Sequence, residues 1–336
     1  MQRIRIGGLI AACSLMVAAC GDDASDPVVA EPITTTIPTI VTEPAEPIVT
    51  PPGTEAPATP TNEQPSGAET ADNGIGPESI ISLSPTATEM LYAIGAGDLV
   101  LAVDDFSNFP PEAVEKMRGL SGWEPNVEAI AGLDPDLILT DGTNPDFLAQ
   151  LDTLGIAHWE GEAAVSFDDV YAQIEQLGAA TGHVAEAVEL VARMQSDVAT
   201  VKAGLPELDE PLTYYHELDG TFYTVTSDTF IGAVYEEIGL VNIADAVGEG
   251  NPYPQLSAEF ILAENPDLVF LACTIYCGES AETVAARPGW ASLDALAHGG
   301  VIEMNDDVAS RWGPRIVEYL QAVGAAVSQV ASVAAG

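Results

Sequence analysis

Short apolar runs alternate with segments of helical periodicity along the chain after residue 78. The apolar runs at 79–83, 99–103, 136–140 and 157–160 predict strands. Apolar residues at three- and four-residue spacing predict helices at 86–94, 127–131, 145–154 and 167–181. Strand–helix alternation with nearly continuous apolar strands is typical of a parallel sheet covered on both faces. The pattern therefore predicts an α/β fold.

One longer helical segment separates two stretches of this alternation. Between His183 and Gly204 the chain has no Gly or Pro, and its apolar residues recur at helical spacing, which predicts one helix of about 20 residues and about 30 Å. Strands are then predicted at 212–215, 267–271 and 301–304, with helices at 229–238 and from residue 314 onward. We predict two Rossmann-like α/β lobes with parallel-type sheets, residues 79–182 and 205–336, joined by the single long helix 183–204.

An internal repeat supports two equivalent lobes. Residues 127–140 match residues 258–271 at a constant offset, and Asn126 and Ser257 both stand where a helix N-cap belongs. Chance convergence of two strand–helix units is the alternative explanation. Ligands of such folds lie beyond the carboxyl ends of the parallel strands, so two facing lobes predict one shared cleft. The identical pairs are Glu128/Glu259, Ile130/Ile261, Pro135/Pro266, Asp136/Asp267 and Leu137/Leu268.

The N-terminus predicts the cellular location. Arg3 and Arg5 precede an apolar stretch, residues 6–19, that is shorter than the roughly 20 residues of a membrane span and typical of a signal peptide. The stretch ends in Val-Ala-Ala-Cys20, which resembles the lipobox of bacterial lipoproteins, where the cysteine takes a diacylglycerol. We predict a lipoprotein signal peptide at 1–20 and a lipid anchor on Cys20 that holds the protein to the outer face of the cell membrane. An ordinary signal peptide is the alternative.

Residues 21–78 have a different composition from the rest of the chain. They contain eleven prolines and ten threonines, with no aromatic residue, Lys or Arg. Such a segment cannot build a core, and we predict a disordered Pro/Thr/acidic tether, with a glycosylated stalk as a variant of the same idea.

Charge and cysteine content restrict the function further. The net charge is −43, and of the 52 acidic residues 41 lie after residue 78, where only seven Lys or Arg accompany them. Binding to nucleic acid or to anionic lipid by charge is therefore excluded, and contact with the membrane is expected through the lipid anchor only. Cys273 and Cys277 are an even pair in an oxidising compartment, which favours a disulfide, with two free buried thiols as the alternative.

Four motifs carry a resemblance to a known family: Ile-Ser-Leu-Ser-Pro-Thr-Ala-Thr-Glu at 81–89, Ser-Asn-Phe-Pro-Pro-Glu at 107–112, Gly-Trp-Glu-Pro-Asn-Val-Glu at 122–128 and Pro-Asp-Leu-Ile at 135–138. Together they resemble the periplasmic vitamin B12 and iron-siderophore binding proteins of ABC importers. The resemblance covers the chain from Ser79 to the C-terminus and is specific for the superfamily, not for the ligand. It implies a class III solute-binding protein with rigid lobes, which we expect to be a monomer and to deliver its solute to a permease and its ATPase.

Polar and aromatic residues follow the predicted strands of the first lobe. The turn after the first strand would place the Ser84 hydroxyl and free helix N–H groups at the cleft, although a helix cap without a ligand role is the alternative. Trp123 lies in a loop, where an aromatic plane suits stacking on a flat macrocycle. The resemblance matches this position to a cleft tryptophan. The predicted ligand-binding residues of the first lobe are Ser84, Pro85, Thr86, Trp123, Glu124, Asp141 and Gly142.

The second lobe offers comparable groups. The His216 imidazole could coordinate a metal centre or hydrogen-bond a ligand edge, with a structural histidine as the alternative. Arg311 could contact the ligand or pair with local carboxylates. The predicted ligand-binding residues of the second lobe are His216, Glu217, Tyr253, Arg311 and Trp312.

The motifs of catalysis are missing from the sequence. It has no Gly-x-Ser-x-Gly, His-Glu-x-x-His or P-loop motif, and its four histidines are isolated, so we predict a binding protein without a resident cofactor or metal. A hydrolase, a binder of bare divalent metal and a haem binder are the alternatives. A catecholate siderophore is strongly anionic and would need several arginines. Trp123, Tyr253 and His216 favour a corrinoid over an iron-siderophore, without deciding between them.

The repeated glutamates have a separate predicted role. The resemblance implies that Glu128 and Glu259 each bind arginines of the permease, one per subunit. A local interaction with the dipole of the helix that each glutamate begins is the alternative.

Overall fold

The computed structural model describes residues 76–248 and 250–334. The predicted signal peptide, the lipidation site Cys20 and all but the last three residues of the predicted tether lie outside this range.

Nine strands and twelve α-helices are present in the described residues. The strands are β1 (Ile80–Ser82), β2 (Val100–Asp104), β3 (Met117–Leu120), β4 (Leu137–Thr140), β5 (His158–Glu160), β6 (Thr213–Glu217), β7 (Val241–Asn242), β8 (Leu268–Leu271) and β9 (Val301–Glu303). The helices are α1 (Pro85–Ala93), α2 (Pro111–Val114), α3 (Val127–Ala131), α4 (Pro145–Leu154), α5 (Phe167–Thr181), α6 (Val184–Ala203), α7 (Phe230–Glu236), α8 (Ala258–Glu264), α9 (Ala281–Ala285), α10 (Asp294–Ala297), α11 (Asp306–Ser310) and α12 (Ile316–Ala334).

The strands form two parallel sheets. The first has the order β3-β2-β1-β4-β5 and the second the order β7-β6-β8-β9, and every ladder within them is parallel. In each sheet the strand order reverses beside the first strand, β1 or β6, which is where ligands of open α/β sheets bind. Helix α6 follows the first sheet and precedes the second. The predicted fold of two α/β lobes joined by one long helix is confirmed.

The internal repeat corresponds to equivalent backbone structure in the two lobes. Asn126 Oδ1 accepts a hydrogen bond from the first turn of α3 (3.0 Å), and Ser257 Oγ accepts one from the first turn of α8 (3.1 Å). Asp136 Oδ2 accepts hydrogen bonds from the backbone N–H and hydroxyl of Ser79 at the start of β1, both at 2.9 Å. Asp267 Oδ2 does the same for Thr213 at the start of β6, both at 2.8 Å. The identical aspartates thus fasten equivalent pairs of strands.

The two lobes share a hydrophobic core. One continuous cluster of buried side chains includes Val103 and Leu177 of the first lobe, Met194 of α6, and Tyr235 and Leu320 of the second lobe. Residues 316–333 of α12 are apolar enough to cross a membrane (mean hydropathy 1.3), but half of the stretch is buried, and α12 packs against α6, α7 and α11. It is a core helix that ties the second lobe to the linking helix.

Candidate functional site

The carboxyl end of β1 is closed by a helix cap. Ser84 Oγ accepts a hydrogen bond from the backbone N–H of Ala87 (3.3 Å), and both Ser84 and Thr86 are buried. The hydroxyl that we predicted to face a ligand is therefore used by helix α1, as the alternative proposed. The turn of Ser84, Pro85 and Thr86 still lies at the carboxyl end of the central strand, so its role in ligand binding stays a prediction.

A buried network of hydroxyl groups supports this turn. Ser82 Oγ donates to the Ser84 carbonyl (3.1 Å) and accepts from Thr88 Oγ1 (2.8 Å). Thr88 also contacts Ser107 Oγ (2.9 Å), which donates to Asp104 Oδ1 (2.6 Å). Burial raises the pKa of Asp104, although the bonds from Ser107 oppose that shift. The first lobe thus stiffens the end of its sheet with short polar side chains, all satisfied by one another.

The loop after β3 presents Trp123 to solvent. At Gly122 any side chain would collide with the carbonyl oxygen of Leu83, so the loop can cross the end of β1 only because this residue is glycine. Trp123 follows directly and is 83% exposed, and the neighbouring Glu124 is also exposed. Ligand sites are lined mainly by hydrophobic and aromatic side chains, so a large exposed aromatic residue at the ligand end of a sheet is a candidate contact. This position is where a ligand of the fold would lie, and the contact with Trp123 stays a prediction.

Asp141 and Gly142 form a tight turn at the end of β4. Asp141 Oδ1 accepts hydrogen bonds from the N–H (3.0 Å) and hydroxyl (2.8 Å) of Thr143, and Gly142 has φ of 74°. Since β4 is the neighbour of β1 where the strand order reverses, this turn lies at the end of the sheet where ligands of such folds bind, and its ligand role stays a prediction.

His216 does not face the cleft. Its side chain is fully buried, and Nδ1 lies 2.7 Å from the hydroxyl of Tyr235, which in turn accepts a hydrogen bond from Tyr319 Oη (2.6 Å). Burial lowers the pKa of His216 to about 3, so the ring is neutral. The predicted metal or ligand contact is corrected accordingly, because the β6 position of His216 points into the shared core.

Glu217 is also part of the interior. Its two carboxylate oxygens accept hydrogen bonds from Arg287 at 2.6 and 2.7 Å, and Arg287 also donates to Glu279 (2.8 Å). The guanidinium lies 4.7 Å from the ring centre of the buried Trp290. Burial raises the pKa of Glu217 and the bonds to Arg287 oppose it. The predicted ligand role of Glu217 is corrected to that of one partner in a buried ion pair.

Arg311 links the second lobe to the first. Nη1 donates to Glu89 Oε1 and Asn108 Oδ1, both at 2.9 Å, and Nη2 donates to the Phe106 carbonyl (3.0 Å) and to Asp307 Oδ1 (2.8 Å). These contacts show the pairing with local carboxylates that we weighed against ligand contact. A ligand contact by Arg311 would have to share or displace them.

Neighbouring residues reinforce this link between the lobes. Arg315 donates to both carboxylate oxygens of the buried Glu89, at 2.8 and 2.5 Å, and Trp312 Nε1 donates to Gln173 Oε1 of α5 (3.1 Å). The two lobes are therefore joined by charge-assisted bonds as well as by the hydrophobic core.

A small cavity lies between the lobes and brings several predicted residues together. Tyr253 lines it, half exposed at 50%, together with Arg311 and Trp312 and with residues of the loop that precedes α5. Ser84, Trp123 and Asp141 do not line this cavity and lie at the carboxyl ends of the first sheet instead. The complete lining is Ala163, Ala164, Phe230, Ile231, Tyr253, Ala309, Ser310, Arg311, Trp312, Ile316 and Tyr319.

Sequence reasoning missed other exposed apolar residues at the same ends of the sheets. Phe106 follows β2 and is 62% exposed, while Ile275 and Tyr276 follow β8 at 58% and 62%. Each stands a few residues past the end of a parallel strand, the same signal that singled out Trp123. The loop after β8 also contains a disulfide between Cys273 and Cys277, with the two Cα atoms 5.1 Å apart.

Glu128 and Glu259 occupy equivalent exposed positions. Each is the second residue of its helix, α3 or α8, in the first turn. Within residues 76–248 and 250–334, no group of three His, Cys, Asp or Glu side chains is placed to hold a metal ion.

Residues 80–308 match the family model described as periplasmic binding protein. The chain belongs to this family. A cobalamin-binding protein of Halobacterium salinarum is 34% identical over 250 residues, which cover 72% of this chain and 67% of that protein. An uncharacterized ABC transporter substrate-binding lipoprotein of Bacillus subtilis, YvrC, is 32% identical over 73% of this chain and 78% of its own length. The crystal structure of the periplasmic vitamin B12 binding protein of Vibrio cholerae superposes with a TM-score of 0.61 at 29% identity, covering 77% of this chain and 98% of that one.

The comparisons establish the general class of the protein. It is an extracytoplasmic substrate-binding protein of the kind that serves ABC importers, and it is not an enzyme. The predicted family, fold and binding function are confirmed at this level.

Proposed function

We propose that this protein captures a corrinoid between its lobes and delivers it to an ABC importer. The observation that carries the proposal is the exposure of Trp123, which the Gly122 crossing holds at the carboxyl end of the first sheet. A flat ring system of the corrin type gains dispersion and hydrophobic energy by stacking on such a plane. Tyr253, on the second lobe, supplies a further exposed aromatic ring at the boundary between the lobes.

The state of the arginines supports a ligand of low charge. Arg287, Arg311 and Arg315 are each paired with a buried carboxylate. A strongly anionic ferric catecholate would have to compete with those carboxylates for its cations. A corrinoid makes no such demand, and because its corrin nitrogens already hold the metal, it needs no imidazole from the protein. Burial of His216 removes it from the residues that favoured a corrinoid, and the proposal rests on Trp123 and Tyr253.

The anchor on Cys20 belongs to the same proposal. A lipoprotein among the similar sequences supports it. Replacing Cys20 with alanine should release the protein from the membrane fraction into the medium, whereas an unchanged membrane fraction would contradict the anchor. We also propose that the protein acts as a monomer, which size-exclusion chromatography with light scattering would test.

A panel of solutes tests the ligand. Cyanocobalamin, cobinamide, a ferric hydroxamate and haemin are each added to the purified protein, and the melting temperature is recorded. A solute at 100 times its dissociation constant should add about 2.7 kcal/mol of stability. We expect this for the two corrinoids, and a shift with haemin or the hydroxamate alone would reassign the ligand.

Substitution of Trp123 tests the observation itself. Trp123→Ala should weaken cyanocobalamin binding by about 1–3 kcal/mol, since it removes the apolar area that the ligand buries, and should leave the melting temperature unchanged. Leu154→Ala is the matched control, because Leu154 is an exposed apolar residue that ends α4, at the opposite end of the sheet. A lowered melting temperature with unchanged affinity would show that Trp123 serves packing.

A further inference from the structure

The loop between β8 and α9 exposes two large apolar side chains beside a disulfide. Ile275 and Tyr276 lie within the ring that Cys273 and Cys277 close, and more than half of each side chain is exposed. Strand β8 is the neighbour of β6 where the order of the second sheet reverses. The loop therefore occupies, in the second lobe, the position where a ligand of this kind of fold binds.

A buried carboxylate fixes the backbone of this loop. Asp306 is buried, and its two oxygens accept hydrogen bonds from the backbone N–H groups of Thr274 (2.7 Å), Ile275 (3.0 Å) and Tyr276 (3.0 Å). The Thr274 hydroxyl adds a fourth bond to Asp306 at 2.9 Å. A short loop with its N–H groups gathered on one carboxylate and its ends joined by a disulfide has few alternative conformations.

The Tyr276 ring is directed towards the first lobe. Its hydroxyl donates to Asp307 Oδ1 (3.1 Å), and Asp307 Oδ2 accepts a hydrogen bond from Asn108 of the first lobe (2.8 Å). The ring is thus held at both ends, by its backbone and by its hydroxyl, while its faces remain largely exposed. Such an arrangement places a rigid aromatic surface at the boundary between the lobes.

We propose that Ile275 and Tyr276 form a rim of the ligand site, contact the bound solute, and are held in position by the Cys273–Cys277 disulfide. The inference rests on the proposed function, because it requires a solute between the lobes. Two neighbouring large apolar side chains at the ligand end of a sheet offer apolar area that a bound solute would bury. Holding them rigid in advance lowers the entropy that binding must otherwise remove, so the disulfide acts on affinity through the position of Tyr276.

The experiment begins with the wild-type protein and three probes. The oxidised protein is titrated with cyanocobalamin, haemin and ferrioxamine B, and the tightest binder is used for all variants. Tyr276→Ala should weaken it about 10- to 100-fold, and Tyr276→Phe, which keeps the ring and loses the bond to Asp307, about 2- to 5-fold. Leu154→Ala serves again as the control and should leave affinity unchanged.

The disulfide is tested by its coupling to Tyr276. The double variant Cys273→Ser, Cys277→Ser should bind about 3- to 10-fold more weakly than wild type. In the Tyr276→Ala background the same pair of substitutions should cause no further loss, since the ring that the disulfide positions is gone. Reduction of the wild type with a phosphine should reproduce the effect of the Cys pair, and the Cys273→Ser, Cys277→Ser variant should not respond to it.

The outcomes separate this inference from the proposed function. If cyanocobalamin does not bind the wild type, the proposed corrinoid function fails, and if none of the three probes binds, the rim fails with it. If a probe binds and Tyr276→Ala retains full affinity, the rim alone is overturned. If the Cys pair reduces affinity equally with and without Tyr276, the disulfide acts on general stability and its positioning role is overturned. The reductant experiment gives the same decision should the double Cys variant fold poorly.

Discussion

The two lobes place different side chains on one backbone frame. Ile80 of β1 pairs with Leu137 of β4, and Tyr214 of β6 pairs with Leu268 of β8, which is the repeat equivalent of Leu137. The same register makes Ser82 equivalent to His216, and the next residue in each lobe is Leu83 or Glu217. The first lobe therefore has a hydroxyl and an aliphatic side chain where the second has an imidazole and a carboxylate.

The difference shows that the backbone arrangement of a lobe and the side chains that pack at the ends of its strands are determined separately. The shared features, two helix caps and two strand-fastening aspartates, use local or repeated contacts. The contrasting features depend on residues far along the chain, such as Arg287 for Glu217 and Tyr319 for His216. At the end of its sheet the first lobe has small hydroxyl groups, whereas the second has a buried ion pair and an aromatic cluster. The stability of the second lobe should therefore depend more strongly on charge and pH.

The largest effect should come from breaking the Glu217–Arg287 ion pair, whose two partners both lie in the second lobe. Arg287→Met leaves the Glu217 carboxylate buried and unpaired, and we expect the free energy of unfolding to fall by about 3–5 kcal/mol in guanidinium denaturation. Arg193→Met is the control, because the Arg193–Glu189 pair is exposed on α6 and worth about 0.3–0.5 kcal/mol.

A double substitution would make the second lobe resemble the first. Glu217→Leu with Arg287→Met replaces both charges with apolar groups, as at Leu83, and should recover most of the lost stability, since buried ion pairs are often replaceable by apolar side chains. If the stability is not recovered, Arg287 must also stabilise the protein through its contacts with Glu279 or with the Trp290 ring.

The next effect concerns pH and has opposite signs in the two lobes. His216 has a pKa of about 3 in the folded protein and 6.5 as its ordinary value, so between these values the unfolded chain binds a proton that the folded protein does not. Its contribution to stability is complete above pH 6.5 and decreases as the pH falls, by about 1.4 kcal/mol per pH unit. From pH 6.5 to 4.5 the loss should be about 2–3 kcal/mol.

Asp104 of the first lobe works in the other direction. Burial raises its pKa, so the folded protein keeps the proton to a higher pH than the unfolded chain, and stability from this group is regained as the pH falls. His216→Gln should therefore flatten the decrease in stability between pH 6.5 and 4.5, and Asp104→Asn should steepen it towards acid. Urea denaturation at several pH values measures both, and identical slopes in wild type and His216→Gln would contradict the assignment.

The sequence predicted those features of the two lobes that depend on neighbouring residues in the chain. Helices α3, α4 and α5 have the predicted bounds, because Asn126, Asn144 and Ser166 cap their first turns and a glycine directly follows the last residue of each helix. The loop position of Trp123 beside glycine was equally visible. Strand β3 was missed, since its Met-Arg-Gly-Leu sequence is a half-exposed edge strand with no apolar run.

Burial at the ends of strands could not be predicted in the same way. His216 and Glu217 stand at a strand end that the repeat places beside the cleft. Because both are polar, the sequence alone predicted them as ligand-binding residues. Their actual surroundings come from α7, from the segment after α9 and from α12, through Tyr235, Arg287 and Tyr319 respectively. A buried partner 70 or more residues away leaves no local pattern in the sequence.

The smallest effect on the folded protein should come from the residues that the lobes share at their surface. Glu128 and Glu259 are exposed in equivalent first turns, where each carboxylate stabilises its helix by about 0.3–1 kcal/mol. We propose that the two also bind arginines on the two halves of the importer, since two equivalent anions suit a two-fold symmetric partner.

The double substitution Glu128→Ala, Glu259→Ala should then leave solute affinity unchanged and lower the melting temperature only slightly, while abolishing solute uptake or the ATP hydrolysis that the loaded protein stimulates. Charge-assisted pairs of this kind govern orientation and association rate, so each single substitution should reduce the association rate with the importer, more strongly at low salt. Glu282→Ala is the matched control, because Glu282 also lies in a helical first turn and has no counterpart in the repeat. Normal transport by the double variant would leave the helix dipole as the whole explanation of the repeated glutamates.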